Sequence, residues 1–206
     1  MGNLASQKLV IPKGYEILDS VRGDLDKDSI EELVIVYNTK EEADAKSDHL
    51  GFRRELVVYK MQKTTWMKWK SSSNVLRYSD EGGMKGDPMG SIEVKKGVLS
   101  ISHQGGSRWK WNHTDKYRFR NGEFELIGVD YSYGTPCEYW EMVSFNLTTG
   151  KLEYKKEIEN CEGENVGIAR TERETIQLKG VKINFQNREI DKFKVKLPKL
   201  KREFFL

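Results

Sequence analysis

Tyr117-Arg118-Phe119-Arg120-Asn121-Gly122-Glu123-Phe124-Glu125-Leu126-Ile127 alternates apolar and polar side chains on both sides of an Asn-Gly pair. A period of two is that of a strand with one buried face. Asn-Gly supplies two neighbouring residues that tolerate positive φ, as a tight two-residue hairpin turn requires. The same rhythm extends in both directions. Ile92-Glu93-Val94 turns at Gly97 into Val98-Leu99-Ser100-Ile101-Ser102, and Met142 to Asn146 turns at Thr148-Thr149-Gly150 into Lys151-Leu152-Glu153-Tyr154. Tyr15 to Leu18, Glu55 to Tyr59 and Trp66 to Lys70 read as earlier strands. Val181 to Phe185 is expected to pair with Phe193 to Leu197, whose lysines alternate with apolar residues and would blunt a sheet edge. Asn160 to Thr171 reads as a long surface connection, and Glu41 to Leu50 as a polar helix or a loop. Strands at short intervals with Gly-bearing turns predict an all-β, mainly antiparallel fold. The expected architecture is a hairpin-rich sandwich or barrel-like single domain over 9–206, with few or no helices, after a leader or disordered N-terminus over 1–8.

The chain has 206 residues, enough for one core without staples. A net charge of +3 is too balanced for a nucleic-acid face, so nucleic acid is not an expected partner. No apolar run approaches the length of a membrane span, and Met1 to Gln7 lacks the charged start and apolar centre of a secretory signal. Met1-Gly2-Asn3-Leu4-Ala5-Ser6 fits a myristoylation pattern and reads equally well as an added leader. Cys137 and Cys161 fit one disulfide in an oxidising compartment or two free thiols. Their polar, turn-rich surroundings favour the disulfide, and without clustered ligands zinc is not expected.

Gly23-Asp24-Leu25-Asp26-Lys27-Asp28-Ser29-Ile30-Glu31-Glu32 leads into Leu33-Val34-Ile35-Val36-Tyr37. Counting from Asp24, carboxylates stand at positions 1, 3, 5 and 9. Aspartates so spaced repel one another unless a positive charge lies between them. Ca²⁺ suits such a set because it takes six to eight hard oxygens in a flexible shell. The expected ligands are Asp24, Asp26, Asp28, the Ile30 carbonyl and Glu32. The loop resembles the calcium loop of FG-GAP and VCBS-type repeats, which joins two strands, with Ser29 where those repeats prefer Gly and Glu32 where they prefer Asp. Position 12 is Ile35, which an EF-hand does not allow. The alternative is an acidic loop whose aspartates cap turns through their own backbone.

Together with Ile11-Pro12-Lys13-Gly14-Tyr15 and the Gly23-Asp24-Leu25-Asp26 loop, the segments Gly105-Gly106-Ser107-Arg108-Trp109-Lys110-Trp111 and Tyr117 to Gly122 resemble a group of short bacterial envelope and lipoprotein-like proteins. That resemblance implies a periplasmic or cell-surface location and transfers no activity.

His103, Trp109 and Trp111 form a second candidate binding set. Two residues apart, the indoles would share one strand face, either as a platform for a sugar ring or a partner's side chains, or in the core. His103 and His113 leave open a metal site or ordinary histidines. Asp130, Glu138 and Glu141 stand beside Tyr131, Tyr133, Tyr139 and Trp140, a mixture that also occurs in glycosidase clefts. Phe204-Phe205-Leu206 is expected to dock. The reading that results is a non-enzymatic binding module of the bacterial envelope with one structural Ca²⁺ and a protein or glycan partner. The alternatives are an immunity or inhibitor protein neutralising a competitor's toxin or hydrolase, and a polysaccharide-active hydrolase.

Overall fold

The computed structural model describes residues 8–39, 50–163 and 166–206. Strands β1 (Tyr15–Gly23), β2 (Glu32–Thr39), β3 (Arg54–Gln62) and β4 (Thr65–Ser72) form an antiparallel sheet in chain order. Strands β5 (Met89–Lys95), β6 (Val98–Gly106), β7 (Lys110–Arg120), β8 (Glu123–Thr135), β9 (Tyr139–Asn146), β10 (Lys151–Asn160) and β11 (Gly167–Gln177) form a seven-stranded meander. A hairpin of β12 (Lys194–Leu197) and β13 (Arg202–Phe205) completes the strands. The sheets pack as a sandwich and do not close into a barrel, since β5 and β11 do not pair with each other. Among the described residues, one short 3-10 turn at Gly83–Lys85 is the helical content.

The Asn-Gly hairpin forms as its residues dictate. Asn121 and Gly122 take φ of 51° and 84° between β7 and β8. Inward residues of β6 to β10, among them Leu99, Ile101, Tyr117, Phe124, Leu126, Val129, Phe145 and Leu152, build one core with Val34, Val36, Leu56 and Val58 of the smaller sheet. The C-terminal segment covers the remainder. Phe185 stacks on Phe124 at 4.6 Å, and Val195, Leu197 and Leu206 are buried. Strand β2 is apolar on both faces because its second face joins another cluster, Leu33, Ile35, Tyr37, Val57, Tyr59 and Trp66, with Leu9 and Tyr15 against it.

Three local expectations need correction. Half of Asn160 to Thr171 is strand: β10 runs to Asn160 and β11 starts at Gly167, so the connection is shorter than expected. The segment Val181 to Phe185 bridges β8 once, through Glu125 and Asn184, and the partner of β12 is β13. Period-two patterning sets which face is buried, and the choice of partner lies in contacts far along the chain. Lys8, placed in the leader, bridges Thr65. The helical candidate falls outside the described residues except for Leu50.

Candidate metal centre

The acidic loop joins β1 to β2, strand to loop to strand as its spacing implies. Two side chains anchor it. Leu25 is buried in the main core, and Glu32, 1% exposed at the first position of β2, accepts the Leu25 N–H at 2.8 Å. Gly23 is required just before the loop, because a Cβ there would lie 2.3 Å from Val94 Cγ1 on β5.

Between these anchors the backbone curls around its own carboxylates. Asp24 accepts the Lys27 N–H at 2.6 Å and the Ser29 N–H at 3.1 Å, while Asp28 accepts the Ile30 N–H at 2.8 Å. Lys27 and Ser29 take φ of 67° and 69°. Ser29 therefore adopts the left-handed conformation that glycine takes freely, at a cost of about 1 kcal/mol. One oxygen each from Asp24, Asp26 and Asp28 converge within 4.8 Å of one another, so the cluster could hold a metal ion. All-oxygen donors suit a hard cation. Ile30 presents its side chain to solvent.

A residue that the sequence did not single out enters this arrangement. Lys60, near the end of β3, donates to Asp26, reaches Asp28 at 3.2 Å and approaches Glu32 Oε1 at 3.5 Å. Its ammonium also lies 4.5 Å from the centre of the Trp69 ring. It thus meets the oxygens that the backbone leaves over, Asp26 Oδ2, Asp28 Oδ2 and Glu32 Oε1. Burial works against the Lys60 charge, but hydrogen bonds to Asp26 and Asp28 outweigh it and raise its pKa. Burial pushes the Glu32 carboxyl up, with the Leu25 N–H pulling against it. The Asp28 carboxyl is held below its usual range by the Ile30 N–H and then by Lys60.

The second candidate set does not form a single surface. Trp109 precedes β7, half-buried, its ring 5.3 Å from Tyr133 and 5.0 Å from Tyr139. Trp111 lies beneath the Arg77 guanidinium at 4.8 Å. The two indoles therefore have separate partners, neither fully exposed nor fully in the core. His103 is 2% exposed and faces inward, which removes it from a surface platform. Burial, then Arg77, depresses its pKa to about 3. It stands opposite His113 across β6 and β7. His113 is committed elsewhere: its Nε2 lies 2.8 Å from Asp115 and 3.0 Å from Arg188. Arg188 also donates to Asp115 at 2.7 Å, and Tyr117 OH does so at 3.0 Å. Burial opposes the Asp115 charge, yet His113 and Arg188 hold its pKa well below the usual range. A guanidinium at the imidazole opposes a metal cation there.

The carboxylates near the aromatics also separate. Glu141 shares the inward face with Val143 and binds Tyr154, Lys156 and Arg202. Asp130 faces outward beside Ser144 and Lys116. Opposite faces of one sheet cannot flank a single glycosidic bond. Glu138 pairs with exposed Arg108 at 3.1 Å. Cys137 and Cys161 form a disulfide with Cα atoms 5.3 Å apart, tying the β8–β9 turn to the end of β10.

No family model matches the chain, and no curated protein or solved structure matches it. The chemistry of the loop stands on its own residues.

Proposed function

We propose that the protein is a non-catalytic binding module of the bacterial envelope whose acidic loop takes up one Ca²⁺. The supporting observation is the convergence of Asp24, Asp26 and Asp28 on one point, with Glu32 at its buried base. These four side chains and the Ile30 carbonyl would hold the ion. The ion would supply charge neutralisation that fixes the β1–β2 turn, and Lys60 would have to swing aside to admit it. Protein groups would supply most of the six to eight oxygens that Ca²⁺ takes, and the role proposed for the ion is structural. The Cys137–Cys161 bond suits an oxidising compartment, which agrees with a periplasmic or surface location.

Calorimetric titration of chelator-treated protein tests the site. Saturable Ca²⁺ binding that Asp26→Asn weakens is expected. Extracellular modules bind as weakly as about 10⁻³ M, so no heat at several times that concentration removes the proposal.

A further inference from the structure

A cleft of about 290 Å³ opens where β3, the segment after β4 and the C-terminal segment meet. Five cationic residues border it, Arg53, Arg54, Arg77, Arg188 and Lys192, against the acidic Glu81, Glu189 and Asp191. Arg54 has no exposed side-chain surface. It donates through Nε to Asn38 and through Nη2 to Asp87, and its buried Nη1 has no acceptor among the described residues. Arg77, 10% exposed, spends its two terminal nitrogens on Glu81 and Asp191, and its buried Nε likewise lacks an acceptor. A guanidinium cannot escape this by losing its proton. Charged donors left without an acceptor are costly, and in native structures they signal a missing water or ion.

We propose that this cleft binds a small oxyanion, the carboxylate or phosphate group of a ligand, between Arg54 and Arg77. Charged guanidinium N–H groups make strong hydrogen bonds to such oxygens, and each arginine would contribute one. The cleft has room for a small anion; both unsatisfied nitrogens are buried beneath its wall, so the two guanidinium groups would have to turn outward to meet it. Asp191 is the built-in competitor. It holds Arg77 Nη2 at 2.7 and 2.8 Å with half of its own side chain in solvent.

The test uses the full chain, titrated separately with sodium phosphate and sodium malonate at constant ionic strength. Calorimetry gives affinity, and tryptophan fluorescence reports the ring under Arg77 through Trp111. Saturation with a dissociation constant at or below about 1 mM is expected. Response to phosphate alone narrows the ligand to phosphoryl groups, and response to malonate alone to carboxylates. Arg77→Gln should weaken binding about tenfold, the loss of a hydrogen bond to a charged group. Asp191→Asn should strengthen it several-fold, because it releases Arg77, and Asn tolerates the φ of 61° found there. That variant keeps the test decisive should Arg77→Gln fold poorly. Failure of both anions to saturate, or an unchanged affinity in Asp191→Asn, overturns the proposal.

Discussion

Replacing Lys60 with Met tests the cation at the heart of the acidic loop. Methionine keeps much of the stem against Trp69 and removes the ammonium. At 3.5 Å, the Lys60–Glu32 attraction is about 5 kcal/mol in an effective dielectric of 20. Lys60 is 26% exposed, so solvent screens much of that figure. Glu32, at 1%, cannot turn to water when its partner leaves. Orphaning a buried charge costs about 3–5 kcal/mol, and an exposed pair is worth about 1 kcal/mol at most. With one partner buried and the other at the surface, a loss of about 2 kcal/mol is expected. Asp28, open to water, adds nothing to that figure. For a chain of this size the melting temperature should fall by about 4–8 °C in chelator at pH 7. Ca²⁺ at 100 times its dissociation constant contributes about 2.7 kcal/mol and should restore the loss. The wild type should gain less from Ca²⁺, because its ammonium must first be displaced. Thermal denaturation with and without Ca²⁺ decides the matter. A variant as stable as the wild type in chelator would show that the backbone N–H groups alone satisfy these carboxylates. No Ca²⁺ effect on either protein would remove the loop as a cation site.

Acid should destabilise the fold through His103, whose folded pKa of about 3 lies below its unfolded value near 6.5. The unfolded chain takes the proton first, so this contribution is complete above about pH 6.5 and is lost as pH falls towards 3, at up to about 1.4 kcal/mol per unit. Glu32, raised by burial, works in the opposite direction, so the difference between wild type and His103→Gln isolates the histidine. Equal slopes in melting temperature from pH 7 to pH 4 would refute it. Asp115, depressed in the fold, adds a further loss only below its unfolded pKa of about 3.9. The disulfide spans 24 residues and should contribute about 3 kcal/mol, or about 6–12 °C in melting temperature. A paired Cys137→Ser, Cys161→Ser variant that melts with the wild type would contradict this.

Local conformations were legible in the residues themselves. Asn121-Gly122 admits few backbone turns other than the hairpin it makes, and alternation in Val98 to Ile101 fixes which side chains face inward. Spacing likewise brought Asp24, Asp26 and Asp28 together, because three side chains on one tight curl have nowhere else to converge. Signals of this kind act over a few residues, where sterics and hydrogen bonding leave little choice. Whatever depends on a distant partner emerged with the folded chain. Lys60 is 34 residues from Asp26, and Arg188 is 73 from Asp115. One lysine among many carries no mark of the carboxylates it will meet. Nor does Val181 to Phe185 reveal that its neighbour is β8 and not β12. Burial rewards any apolar face that finds another, so patterning names the face and only the closed core selects its mate.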